Sequence, residues 1–221
     1  GVQIRALGLG KFEPLSHQGG LPGDGWDRER STITRVNGER AAGEKAAKFA
    51  KDDIRATVDG RSILVTNLQG ERVLEMNRAL RQSPTSGTKP PAGALILFNG
   101  KDNNHFPGSK FTGDGLLEQG AFSSDKFGDG TLHVEFMLSY MPEARGQGRS
   151  NSGVYLQGRY EVQVLDSFAL EGKNNECGGI YSIAAPKENL CFPPLTWQTF
   201  DIEFTAAKYD TEGRKTSNAR M

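Results

Sequence analysis

The chain has no long apolar run, no surplus of charge of either sign, and only two cysteines among its 221 residues. Each shortage removes a class of function. No stretch approaches the roughly 20 apolar residues a helix needs to cross a bilayer, so no membrane span is expected. Lysine and arginine number 27 and aspartate and glutamate 27, a formal charge of zero. That balance supplies no basic footprint for nucleic acid or an anionic membrane. Familiar chemical motifs are missing as well. There is no HxH, HExxH or CxxC spacing and no G-x-S-x-G elbow. The Asn99 to Asn104 turn lacks the glycine and distal glutamate of an EF-hand loop. Gly146 and Gly148 are not followed by the Gly-Lys-Ser/Thr ending of a phosphate loop.

The two cysteines, Cys177 and Cys191, lie in one loop-rich stretch. A disulfide between them would close a loop of about 15 residues and contribute roughly 3 kcal/mol. Two buried thiols in a reducing compartment fit the spacing equally.

What the chain does have is 28 glycines and 10 prolines set between short alternating segments. That composition predicts a mostly β protein with frequent turns. Residues 1–82 read as a small β-rich module. Val2, Ile4 and Ala6 alternate, and Ile63, Val65 and Val73 flank a hairpin at Gln69-Gly70. The Gly19 to Asp27 loop carries Trp26 either toward a ligand, with Asp24, or over the core. Ala41 to Ala50 reads as a short helix or an exposed connection. Residues 83–92, rich in Pro, Ser, Thr and Gly, read as a linker, and residues 93–221 as a second domain. There Ala94 to Phe98 is expected to be a short buried strand ended by the Asn99-Gly100 turn. Thr131 to Leu138 and Trp197 to Phe204 alternate as half-buried strands. Such a series, joined by loops, suggests an antiparallel sandwich of the jelly-roll kind. The chain opens without an initiator Met or signal-peptide pattern and stops after the turn-like TEGRK, so it reads as a fragment.

The densest pattern is Asn151 to Ser167, NSGVYLQGRYEVQVLDS. Val154, Leu156, Tyr160, Val162 and Val164 alternate with polar Tyr155, Gln157, Arg159, Glu161 and Gln163, which means β structure with one face buried. Gly158-Arg159 suits a type II′ hairpin that would pair Gln157 with Tyr160; a continuous strand is the other reading. Either way Glu161 and Gln163 share a face, a carboxylate beside an amide. His133 and Glu135 share the outer face of another strand. Asp166 ends the central stretch, as a ligand or as a turn cap. Arg145 and Arg149 flank Gly-Gln-Gly in the preceding loop, as clamps on a ligand or as anchors of the loop. Trp197 opens an apolar strand, as a stacking platform for a ligand or as part of the core, and Gln198 and Asp201 follow it.

LFNG (97–100), LHVEF (132–136), NSGVYLQGRYEVQVLDS, CGGIYSIAAP (177–186) and PPLTWQTFDIEF (193–204) together resemble one family, the 3-keto-disaccharide hydrolases or 3-keto-glucoside lyase/hydratases. The resemblance covers about residues 93–221. It departs at Asn104-His105-Phe106, where family members commonly carry Gly-Trp, and family domains continue with further strands. The front module resembles the small β domain that precedes this one in some planctomycete-type proteins.

The resemblance implies a concanavalin-A-like jelly roll, incomplete in this chain, acting on an oxidised (3-keto) glycoside in the periplasm or outside the cell. A ketone at C3 acidifies the C2 proton, so a base removes it, the enediolate expels the C1 substituent, and water adds back. This needs a base, an oxyanion stabiliser and an acid. Glu161, Gln163, Glu135 and His133 are the catalytic candidates. Arg145, Asn151, Tyr155, Gln157, Trp197 and Gln198 are the substrate-binding ones. A divalent metal on Glu161 and Asp166 would serve as Lewis acid, with no organic cofactor. The rivals are a non-catalytic, lectin-like glycan-binding module and a structural surface domain, because one fold hosts many functions.

Overall fold

The structure, a computed structural model, describes residues 1–28 and 34–221. Among the described residues there is no α-helix, only strands, turns and a 3₁₀ turn at Gly146–Gly148.

The front module is one antiparallel sheet. Its strands are β1 (Val2–Gly8), β2 (Lys11–Ser16), β3 (Thr34–Arg35), β4 (Gly38–Glu39), β5 (Ala47–Lys51), β6 (Ile54–Val58), β7 (Ser62–Thr66) and β8 (Arg72–Asn77). They run in the order β1-β2-β4-β5-β6-β7-β8, with β3 also paired to β2. The β7–β8 hairpin closes over Gln69-Gly70, where Asn67 Oδ1 accepts from the N–H groups of Gln69 and Glu71. Trp26 packs its ring edge against His17, centroids 4.9 Å apart, as the covering role of its loop requires. Ala41 to Ala50 is not helical. It makes a turn at Ala41–Glu44 and then β5. Ala47 and Phe49 are buried while Lys48 is exposed, so alternation and a strand neighbour on each side override a weak helical reading.

From Arg78 to Asp129 the chain forms turns and no strand. Ala94 to Phe98 is therefore not the expected strand. It finds no ladder to join, and Leu95 and Ile96 stay exposed, since an apolar run becomes a strand only where another strand's backbone can pair with it.

The second half holds three antiparallel ladders. Strand β9 (Gly130–Met137) pairs with β12 (Trp197–Phe204), β10 (Ser152–Leu156) with β11 (Tyr160–Val164), and β13 (Lys208–Tyr209) with β14 (Lys215–Ser217). Leu138, Val164, Cys177 and Cys191 form a buried cluster against which Phe136, Val154 and Phe200 pack. The first two ladders thus turn their apolar sides to a common core. Both cysteines lie buried within it as free thiols.

The hairpin joining β10 and β11 differs from expectation. Gln157 and Gly158 both have positive φ, 56° and 61°, which excludes type II′ and gives a primed turn with two left-handed centres. Arg159 N–H donates to Leu156 O at 3.1 Å, and Leu156, not Gln157, faces Tyr160. Three loop residues preserve parity, so odd-numbered residues keep one face through the turn. Tyr155 is thereby opposite Glu161, and Gly153 opposite Gln163.

The two halves touch at specific points. Arg145 Nη2 donates to Leu7 O at 2.6 Å, and Arg149 Nη1 to Ala6 O at 3.1 Å. Arg28 pairs with Glu188 at 3.2 Å.

Candidate functional site

Strand β11 is bordered on both sides. β10 lies on one edge. Along the other, residues 178–181 run antiparallel, with Gln163 N–H donating to Gly179 O and Tyr181 N–H to Glu161 O, each at 2.9 Å. The Val162–Ile180 bridge sets this register. A row of side chains therefore crosses the polar face, Tyr155, Glu161, Tyr181, with the carboxylate between two phenols. Both rings are open to solvent, Tyr155 at 57% and Tyr181 at 37% of full exposure.

Glu161 is half-buried, and Tyr155 O–H donates to its Oε2 at 2.7 Å. That bond to a carboxylate raises the Tyr155 pKa above its ordinary value, with desolvation adding to the rise; the phenol is held as a donor. Glycine is required opposite Gln163. A Cβ at Gly153 would lie 2.7 Å from Glu161 Cγ, so the carboxylate occupies the space that a side chain there would fill.

Gln163 is fully buried, and its amide meets oxygens at both ends. One end lies 2.8 Å from Gln147 Oε1 and 3.3 Å from Asn151 Oδ1. The other lies 3.0 Å from Ser152 O and 3.1 Å from Glu161 Oε1. Gln147 comes from the 3₁₀ turn, and its own Nε2 donates to Asn175 O at 2.8 Å.

The remaining candidates are elsewhere. His133 and Glu135 stand on β9 beside Asp201 of β12. His133 Nδ1 is 2.6 Å from Asp201 Oδ1, and its Nε2 is 3.4 Å from Glu135 Oε1. Among the described residues no hydrogen bond or ion pair joins this group to Glu161 or Gln163. Ser83 to Gly87 lies over it. Thr85 O–H donates to Asp201 Oδ2 at 2.6 Å, Gly87 N–H to Glu135 Oε1 at 2.5 Å, and Thr199 N–H to Ser83 Oγ at 3.1 Å. The Asp201 contact, and more weakly Glu135, raise the His133 pKa against its desolvation. Thr85 and then His133 lower that of Asp201.

Asp166 is buried, and Arg149 Nε donates to its Oδ2 at 2.6 Å; it anchors the arginine rather than standing beside Glu161. Arg145 spends its guanidinium on the carbonyls of Leu7, Pro142 and Ala144. Asn151 borders the amide cluster, whereas Gln157, at the hairpin tip, reaches Phe127 O at 3.4 Å. Trp197 is exposed on β12 opposite Met137. Gln198 is buried, accepting from Phe192 N–H at 3.0 Å, and its Nε2 meets no partner among the described residues.

The donor set does not fit the metal that the resemblance implied. Glu161 is surrounded by a phenol and an amide, its expected co-ligand Asp166 is committed to Arg149, and no group of three or more His, Cys, Asp or Glu among the described residues is arranged to hold an ion. A single carboxylate is too few anionic ligands for a protein-held divalent cation.

Gln147 and Tyr181 escape sequence reasoning because each reaches β11 from a different loop. The signal available for Tyr181 is its place in the CGGIYSIAAP segment.

Fold and site together define a β-sandwich protein with one carboxylate held between phenols and a buried amide on an exposed sheet face. Residues 93–219 match the family model of the 3-keto-alpha-glucoside-1,2-lyase-like domain, and the chain belongs to that family. In structure it is similar to a protein from Parabacteroides distasonis described as a candidate glycosyl hydrolase, with 29% sequence identity and a TM-score of 0.52. The match covers 58% of this chain and 60% of that one, so the chain spans less than two thirds of that protein's length. The likeness identifies the sandwich as a jelly-roll type. No curated protein matches the chain. Among the described residues no helix is long and apolar enough to cross a membrane.

Proposed function

We propose that this protein is a carbohydrate-active enzyme, working outside the cytoplasm, that cleaves 3-keto-glucosides by elimination and hydration. The observation that carries the reading is Glu161, half-buried on an open face, with Tyr155 O–H on Oε2 and the Gln163 amide at Oε1.

The ketone at C3 makes the C2 hydrogen acidic, and Glu161 takes that proton. The electron pair left on C2 delocalises into the ketone as an enediolate and then expels the C1 oxygen, giving 2-hydroxy-3-keto-glucal. The leaving oxygen collects a proton from the newly formed Glu161 carboxylic acid. Water then adds across the C1–C2 double bond to yield 3-keto-glucose. The chemistry differs from the two-carboxylate, oxocarbenium route of ordinary glycosidases and needs only one carboxylate. Once protonated, Glu161 is a weaker acceptor, so the Tyr155 O–H is released to donate to the enediolate oxygen just as charge gathers there.

A second reading, a glycan-binding module, draws on the two exposed phenols flanking Glu161, which offer flat faces to a sugar ring. One assay separates the two. Turnover of a 3-keto-glucoside should fall at least about 100-fold in Glu161→Gln, with the product seen as 3-keto-glucose. Undiminished turnover in that variant removes Glu161 from the mechanism. Binding of sugar with no turnover in either protein favours the lectin reading.

A further inference from the structure

The Gln163 amide cannot satisfy both its ends at once. It faces Gln147 Oε1 at 2.8 Å and Asn151 Oδ1 at 3.3 Å on one side, and Ser152 O at 3.0 Å and Glu161 Oε1 at 3.1 Å on the other. All four are acceptors, but an amide has one NH₂ end and one carbonyl end. Gln147 cannot relieve the conflict by turning over. Its Nε2 donates to the Asn175 carbonyl at 2.8 Å, which keeps its own oxygen toward Gln163. Gln163 is fully buried, so no bulk water substitutes for a missing partner, and an unmade bond there is expensive.

Resting on the assignment of Glu161 as the base, we propose that Gln147 is a positioning residue that decides which end of the Gln163 amide faces Glu161. By holding the Gln163 NH₂, it presents the Gln163 carbonyl to Glu161. A carboxylate opposes that carbonyl, whereas a carboxyl group that has just taken a proton donates to it. The amide therefore favours the state that follows C2 proton abstraction. Without Gln147, the NH₂ turns to the carboxylate and stabilises the state that precedes it. The consequence falls on the chemical step, because Gln147 acts through Gln163: among the described residues its hydrogen bonds go to Gln163, Asn151 and Asn175, and none reaches Glu161.

The test compares Gln147→Met, which keeps length and loses the hydrogen bonds to Gln163, Asn151 and Asn175, with Gln147→Glu, which keeps an oxygen opposite Gln163. On a 3-keto-glucoside, Gln147→Met is expected to lower kcat about tenfold with KM unchanged, and Gln147→Glu to recover much of the loss. A second readout does not depend on turnover. In the wild type, the Gln163 side-chain NH₂ gives a distinct ¹⁵N resonance that shifts in Gln147→Met and returns toward its original position in Gln147→Glu. A resonance that stays in place, or a Met variant that loses KM and kcat together with stability, overturns the proposal while leaving Glu161 as the base. Full turnover in Glu161→Gln instead overturns the function reading, and this inference with it.

Discussion

Tyr155 and Glu161 are direct cross-strand partners on the β10–β11 hairpin, and the phenol donates to the carboxylate at 2.7 Å. Two neighbouring strands hold this pair, so its geometry is set by the ladder and not by a loop. Replacing Tyr155 with Phe keeps the ring and removes one donor. We expect kcat on a 3-keto-glucoside to fall about 10- to 100-fold, with KM changed little. A fall in affinity with kcat intact would instead make Tyr155 a binding platform.

Gly153 offers a steric test of the same site. A Cβ there would come within 2.7 Å of Glu161 Cγ, and the carboxylate must move to admit it. Gly153→Ala should therefore lose most activity while its stability drops by about 1–3 kcal/mol, the ordinary cost of overpacking. Equilibrium unfolding beside the turnover assay checks the pair of outcomes. Wild-type activity in this variant would show that the position of Glu161 does not matter.

Much of this arrangement is legible in the sequence. Leu132, Val134 and Phe136 alternate with His133 and Glu135, and β9 forms across them. Glu161 and Gln163 share a face as their spacing requires. Other features depend on partners that a local pattern does not contain. Ala94 to Phe98 is apolar enough for a strand but has no neighbour. The β10–β11 register turned on one loop residue, because three residues preserve the parity that two would have reversed. Ser83 to Gly87 has the composition of a linker, yet lies on β9 and β12 through its backbone and hydroxyls. Asp166 reads from sequence as a ligand or a turn cap and Arg149 as a ligand clamp or a loop anchor, but no local pattern shows that each is the other's partner.

That buried pair predicts stability. Arg149 also donates to Ala6 and Pro142 carbonyls, so it ties the front sheet to the sandwich. Arg149→Met leaves Asp166 buried without its counterion and should cost about 3–5 kcal/mol. Replacing both, as Arg149→Met with Asp166→Leu, removes the stranded charge and should cost less than the single change. Urea unfolding of the two variants checks the order, and a double variant less stable than the single would contradict it.

The strap over β9 and β12 should respond to pH. His133 has a pKa raised above its ordinary 6.5, through Asp201 first and Glu135 second. A raised folded-state pKa contributes stability that is complete below the ordinary value and lost as pH climbs through the folded one. Asp201, lowered from 3.8 by Thr85 and His133, works in the other direction: its contribution is present above its ordinary value and disappears as pH falls through the depressed one. The strap is therefore held best between these limits. Above the His133 pKa the imidazole is neutral, the two carboxylates that receive Thr85 and Gly87 lose the cation between them, and their mutual repulsion loosens the segment. Amide exchange at Gly87, corrected for its intrinsic pH dependence, should rise between about pH 5 and about pH 9 in the wild type. In His133→Gln the same profile should be flat and start from the less protected level. A wild-type profile that is itself flat would mean that Gly87 is held by its backbone bond alone, with no contribution from the charge on His133.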